Sequence, residues 1–130
     1  MPGAYLDSSA IVKLAIGEPQ SAALRRYVRR RGPLLSSALS RTEVLRALVE
    51  EGEAGIARGR VVLGRINLIR VNNRVLNAAG TLLPADLRSL DAIHLATALQ
   101  LGDDIGQVVT YDDRMTAAAG ELGMRTATPA

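Results

Sequence analysis

Four carboxylates stand where this chain could do chemistry: Asp7, Glu43, Asp91 and Asp112. Asp7 halts a short apolar run that begins at Ala4, and two serines and an apolar segment of helical type follow it. Strand, turn and helix are therefore expected within residues 1–15, with Asp7 at the carboxyl end of the strand. Glu43 falls in the first turn of the helix expected after a second strand, Asp91 in the first turn of a later helix, and Asp112 directly after a further strand. Each acid also has a structural reading: helix cap, capping-box acid, helix-dipole acid, turn residue. Gathered at one rim they would repel one another unless a cation compensated them. Hard divalent ions such as Mg²⁺ take oxygen ligands, and an acidic pocket holding one suits phosphoryl chemistry. Ser9 lies beside Asp7, and Thr110 shares a strand face with Asp112 by period two, so both are expected as polar support. Asp113 competes with Asp112 for the fourth place. Four carboxylates against one Mg²⁺ leave a formal excess of about two, for which a partner's basic side chain is the expected offset.

Composition narrows the chemistry. Hydrophobic residues make up 48% and charged residues 22% of the 130, within the range of one soluble domain. Cysteine is absent and His94 is the only histidine, which excludes thiolate sites and a multi-histidine zinc centre within one chain. Any metal must be held by oxygen. Neither Phe nor Trp is present, so the core must be packed from Leu, Val, Ile and Ala. Net charge is +3 with a pI near 9.9, which permits a polyanionic partner. Fifteen of the sixteen basic residues are arginine, and the single lysine, Lys13, lacks the surroundings of a phosphate-binding loop. The N-terminus has no basic stretch leading into an apolar one, and no run reaches membrane-spanning length. A cytoplasmic location is expected.

The elements that must position the acids follow from periodicity. Glu18-Pro19 is expected to open a second helix, with Leu24, Tyr27 and Val28 inward and Arg25, Arg26, Arg29 and Arg30 outward. Leu34–Ser37 reads as the second strand. Ser40-Arg41-Thr42-Glu43 has a capping-box pattern leading a helix whose inner face is Val44, Leu45, Leu48 and Val49. A helix over 53–66 carries Ile56, Val61, Leu63 and Ile66 and is weakened by Gly55, Gly59 and Gly64. Strands are expected at 67–71, at 107–111 and, as an edge, at 124–126. Helices are expected at 73–82, 89–101 and about 114–121. Strands alternating with helices give an α/β fold, a three-layer α/β/α domain over residues 1–130 with a mostly parallel sheet of four to five strands.

The blocks Leu6-Asp7-Ser8-Ser9-Ala10, Thr42-Glu43-Val44-Leu45-Arg46-Ala47-Leu48, Ser89-Leu90-Asp91-Ala92-Ile93-His94-Leu95-Ala96-Thr97-Ala98 and Val109-Thr110-Tyr111-Asp112 together resemble the PIN-domain nucleases, and within them the VapC-type toxins of toxin–antitoxin modules. The likeness spans essentially the whole chain in the family's order. It implies a PIN-like fold, Mg²⁺- or Mn²⁺-dependent endoribonuclease activity, homodimerisation and neutralisation by a cognate VapB-like antitoxin. By the same resemblance the catalytic and metal-binding acids are Asp7, Glu43, Asp91 and Asp112, supported by Ser9 and Thr110. The second residue after Asp7 is Ser, where Thr is also common in the family.

Competing readings are fewer. An aspartyl-phosphate phosphatase wants a second Asp where Ser9 stands, and both it and a receiver domain want a lysine that is hard to find with only Lys13. A catalytically inactive PIN-like domain binding nucleic acid or a partner is opposed by the intact set of acids. His94, one turn beyond Asp91, is read as a packed or supporting residue rather than a ligand. The arginines from Arg25 to Arg31 either grip RNA phosphates or form a solvated face. Tyr111 is the best-placed aromatic for base stacking, with burial the competing role. Asp103-Asp104 is read as a solvated loop at the opposite rim.

Overall fold

The computed structural model describes residues 1–130. Five strands, β1 (Gly3–Leu6), β2 (Leu34–Ser37), β3 (Asn67–Ile69), β4 (Ile105–Val109) and β5 (Thr126–Ala127), form one sheet in the order β3-β2-β1-β4-β5. Every pairing is parallel. The chain winds outward from β1 through β2 to β3, then crosses to β4 on the other side. The strand order thus reverses between β1 and β4. In open α/β sheets such a switch point opens a crevice outside the carboxyl ends of the two strands.

Seven helices cover the faces: α1 (Ser8–Ala15), α2 (Ser21–Arg29), α3 (Ser40–Leu48), α4 (Gly52–Leu63), α5 (Asn73–Gly80), α6 (Ser89–Leu101) and α7 (Asp113–Glu121). The alternation of β1 decides which side each core serves, because successive side chains point to opposite faces. Ala4 and Leu6 join Ile11, Leu24, Val44, Leu48 and Leu63 under α1 to α4. Tyr5 points the other way and joins Leu35, Ala98 and Val108 under α6. Tyr5 is fully buried and is the bulkiest side chain in a core otherwise built from aliphatic residues, Met115 and His94. Without Phe or Trp to fill space, the helices close in on alanine: Ala92, Ala96, Ala98, Ala118 and Ala119 are all buried on α6 and α7.

Several boundaries move. α2 begins at Ser21 rather than at Glu18-Pro19, because Ser21 Oγ accepts from the Glu18 N–H at 2.9 Å and donates to the Ile16 carbonyl at 2.8 Å, closing a turn ahead of the helix. α4 ends at Leu63 rather than 66, and β3 at Ile69 rather than Val71. α5 ends at Gly80, β5 falls at Thr126–Ala127, and β4 runs two residues earlier than expected. The inner face of α4 is also corrected. Val61 is 56% exposed, whereas Gly55 and Gly59 are buried. A Cβ on Gly59 would stand 2.6 Å from Leu48 Cδ1, so the glycines read as weakening the helix let it approach α3. Val49, expected inside, is exposed beyond the end of α3.

Gly3 is fixed by a tighter contact. A Cβ there would lie 2.4 Å from the Pro33 carbonyl oxygen, the same oxygen that accepts from the Ala4 N–H at 3.0 Å to register β1 on β2. Gly3→Ala is therefore expected to lower stability by about 1–3 kcal/mol in urea denaturation. Gly17→Ala, with nothing within 4 Å, should stay within about 0.5 kcal/mol of the native protein.

Candidate active site

Asp7 leaves β1 and caps α1: Oδ1 accepts from the Ala10 N–H at 3.1 Å. The same oxygen accepts from Ser9 Oγ at 2.6 Å, and Oδ2 accepts from Thr110 Oγ1 at 2.5 Å. At 3% exposure the carboxylate is almost out of water. Burial pushes its pKa above the ordinary carboxylate value, opposed in part by the hydrogen bonds from Ser9, Thr110 and Ala10.

Thr110 does not work as the period-two argument expected. β4 ends at Val109, and Thr110 and Asp112 lie in the turn beyond it. There Thr110 Oγ1 accepts from the Asp112 N–H at 3.1 Å while donating to Asp7. One hydroxyl thus ties the turn after β4 to the end of β1. Ser9 adds a second tie, its Oγ accepting from the Tyr111 N–H at 3.0 Å.

Asp112 caps α7 with Oδ1, which accepts from Arg114 N–H at 2.8 Å and Met115 N–H at 3.3 Å. Its Oδ2 accepts from Arg88 Nη2 at 3.2 Å, and Arg88 Nε donates to Asp91 Oδ2 at 3.2 Å. A single guanidinium therefore bridges the first turn of α6 and the start of α7. Asp113 is the first residue of α7 and joins none of these bonds.

Glu43 takes no part in a capping box. Leu39, with a helical backbone, precedes α3, and the Ser40 hydroxyl is engaged instead with Ser36 Oγ at 2.7 Å. Glu43 Oε1 lies 2.6 Å from His94 Nε2, and His94 Nδ1 lies 2.8 Å from Tyr5 Oη. An ionised carboxylate only accepts, so Nε2 carries the proton, and in the neutral ring Nδ1 accepts from the tyrosine hydroxyl. Burial holds that hydroxyl far above the usual tyrosine pKa, so it remains a donor. His94 is buried and orients a carboxylate.

The four acids converge on one rim without forming a single cluster, for no group of three carboxylates or histidines is spaced to enclose a metal ion. They form three assemblies: Asp7 in its hydroxyl cage, Asp91 with Asp112 across Arg88, and Glu43 on His94. The donor set is nevertheless oxygen throughout, and Asp91 and Asp112 already share one cationic group. Mg²⁺ usually keeps several waters and uses one or two carboxylates plus substrate phosphates, so these residues fit such an ion. A cleft of about 400 Å³ lined by Ser9, Lys13, Glu43 and Tyr111 lies on one side, and one of about 440 Å³ lined by Leu87, Arg88, Asp91 and Arg114 on the other. A largely apolar cavity, lined by Leu14, Val28, Leu34, Val62 and Ile66, lies away from the acids. Tyr111 is half-buried, donates to the Pro129 carbonyl at 2.6 Å and has Lys13 Nζ 4.9 Å from its ring centre, so one face is taken.

Sequence reasoning missed Arg88 and Tyr5. The i,i+3 spacing of Arg88 and Asp91 was a usable signal for the first; nothing local signalled the bond between Tyr5 and His94, 89 residues apart.

The PIN domain profile matches residues 4–121. Ribonuclease VapC46 of Mycobacterium tuberculosis is 59% identical over 129 residues, 99% of each chain, and ribonuclease VapC47 of the same species is 37% identical over 130 residues, 96% of each chain. Among solved structures, a toxin–antitoxin complex from Klebsiella pneumoniae matches with a TM-score of 0.76 at 22% identity over 98% of both chains. M. tuberculosis VapC20, a sarcin–ricin loop cleaving toxin, matches with a TM-score of 0.74 at 19% identity, over 89% of this chain and 95% of its own. At these identities the two structures speak for the fold.

The raised pKa of Asp7 has a definite linkage. Its folded pKa exceeds its unfolded one, so the stability tied to this group is full below about pH 3.9 and declines as pH rises to the folded pKa. Asp7→Asn, which carries no ionisation cost, should match or slightly exceed the native protein in stability at pH 7. That margin should narrow as pH falls through the raised pKa, a trend that urea denaturation at several pH values measures. A loss of several kcal/mol at pH 7 would mean that capping outweighs desolvation at this carboxylate.

Proposed function

The chain belongs to the PIN-domain family, and within it to the VapC toxins, and from that premise we propose that it is a divalent-metal-dependent endoribonuclease of the cytoplasm. Residues 1–130 act as one nuclease domain, hydrolysing RNA phosphodiester bonds and held in check by a cognate VapB-like antitoxin. The observation that carries this reading is the meeting of Asp91 and Asp112 on one cationic group at the switch-point rim, beside the buried Asp7.

Asp91 and Asp112 would hold the Mg²⁺ or Mn²⁺, with Asp7 and Glu43 flanking it through water or substrate. When bound, the ion supplies an activated water, neutralises the phosphate and stabilises the leaving oxygen. The remaining work belongs to the protein's own groups. Ser9 and Thr110 keep both Asp7 oxygens aligned with the rim, and Thr110 sets the turn that presents Asp112. His94, itself held by Tyr5, anchors Glu43 at the edge of the cleft shared with Ser9 and Lys13. Pre-set positions of this kind lower the reorganisation needed during reaction. Because attack by water does not need the ribose 2′-hydroxyl, products with 5′-phosphate and 3′-hydroxyl ends are expected.

Association follows from surface chemistry. Val49, Val61, Leu76, Leu90 and Leu99 leave apolar area in solvent, and a homodimer would cover part of it. Arg25, Arg26 and Arg29 on α2 and Arg30 at its end are exposed and available to RNA or to an acidic partner.

Purified protein incubated with total cellular RNA should generate new 5′-phosphate ends only with Mg²⁺ or Mn²⁺ present. Asp91→Asn should reduce cleavage by at least about a hundredfold, while Asp103→Asn and Asp104→Asn, at the opposite rim, should cleave as the native protein does. Cleavage that persists in chelator, or in Asp91→Asn, would remove the metal-dependent reading. Sedimentation at micromolar protein should show a dimer; a monomer throughout would exclude that assembly.

A further inference from the structure

The reaction above gives no role to Arg88, the cation that sits directly on two of its acids. It directly precedes α6 on extended backbone, and its guanidinium spans Asp91 Oδ2 and Asp112 Oδ2, each at 3.2 Å. The atoms it uses matter. Asp112 Oδ1 is committed to the amides of α7, so Oδ2 is the oxygen that any cation on Asp112 must use. A divalent ion at about 2.0–2.1 Å from that oxygen would meet the guanidinium at close range, and two cations so placed repel. Asp112 therefore serves Arg88 or a metal ion, but not both fully, and an ion shared with Asp91 loosens the bridge.

The second observation is where a displaced guanidinium can go. The Arg88 side chain is 60% exposed, so it is free to swing without disturbing the core. It borders the cleft of about 440 Å³ that also holds Arg114, with Leu87 and Ala117 in its lining. Asp86, Asp91 and Glu121 lie in the same cleft, so its charge is mixed, and Arg88 with Arg114 are the cationic side chains there that an anion could meet. A planar guanidinium matches a phosphate's paired oxygens.

We propose that Arg88 is a substrate-binding residue held on Asp91 and Asp112 until a divalent cation takes those carboxylates, whereupon it grips an RNA phosphate next to the scissile one. This rests on the nuclease reading above and names a contact for its substrate. It couples the two ligands: metal releases the arginine that RNA needs, and by reciprocity RNA on Arg88 favours metal.

Two titrations test this, and they are expected to move in opposite directions. Calorimetric titration of Mn²⁺ without RNA should show Arg88→Gln binding about fivefold tighter than the native protein, since one competing charge is gone. Arg60→Gln, an equal change of net charge at an exposed position of α4, should bind as the native protein does. Fluorescence anisotropy of a labelled single-stranded RNA oligonucleotide in Ca²⁺, with gels verifying that it stays intact, should show Arg88→Gln binding about fivefold weaker. Its logarithmic salt slope should be smaller by about one. Melting curves will verify that the variant is folded. A merely structural role for Arg88 would not tighten metal binding while weakening RNA binding. Equal Mn²⁺ affinity in the native and Arg88→Gln proteins, or unchanged RNA affinity, overturns the inference and leaves the nuclease reading standing. Absence of Mn²⁺ binding in both proteins overturns the metal-dependent reading and this inference with it.

Discussion

A carboxylate almost wholly out of water at the end of the central strand is the constraint that the surrounding structure answers. Asp7 cannot be buried there without donors for both oxygens, and three serve it: the Ser9 hydroxyl and Ala10 amide from the start of α1, and the Thr110 hydroxyl from beyond β4. Two of these donors are themselves acceptors, from Tyr111 N–H and Asp112 N–H. The bonds that satisfy Asp7 are thus the bonds that close β1 against the turn after β4. Helix cap, strand crossover and candidate active site are one hydrogen-bonded unit, so disturbing any member is felt in the others.

A second unit runs through the sheet. Tyr5 points away from Leu6 into the other layer, where its hydroxyl meets His94, and His94 reaches back to Glu43 on α3. α6 is suited to this because its middle is buried, with Ala92 and the run from His94 to Ala98 all out of water. Small side chains let α6 come close enough for its one histidine to link β1 to α3. The absence of larger aromatics from the core and the presence of this short relay are connected, since bulk at Ala98, which packs on Tyr5, Leu35 and Val108, would push α6 off the strands.

Much of this was legible in the sequence, and what was not has a common cause. The ends of α6 at Ser89 and Leu101 follow from apolar residues bounded by Gly102, and the rim positions of Asp7 and Asp112 follow from strand ends alone. Periodicity reports which positions are apolar. It does not report which partner wins a side chain that has two options. Ser40 and Glu43 match a capping box, yet each finds a better-placed partner from a distant element, in Ser36 and His94. Glycine in α4 reads as a loss of helix propensity, but its effect is set by how near α3 can come. The Asp91–Arg88 half of the bridge is local, whereas Asp112 is 24 residues away and joins only through the fold.

Charge balance at the rim is then distributed rather than pooled. If the four acids shared one cavity, removing any charge would relieve repulsion and stabilise the fold. As arranged, only Asp7 faces mainly desolvation. Neutralising Asp91 would strand half of the Arg88 fork, a partly exposed pair worth at most about 1 kcal/mol, so its effect on stability should be near zero in either direction. The same distribution changes what a protein partner must bring. A basic side chain from outside was expected to offset surplus negative charge, yet Arg88 already engages two of the four acids, and a third is hydrogen-bonded to His94. An inhibitor that inserts its own arginine here must therefore displace Arg88, and its gain is the difference between two guanidiniums rather than the full worth of one. The worth of such an insertion at the rim is therefore set by that difference, and any larger affinity would need contacts beyond the acids.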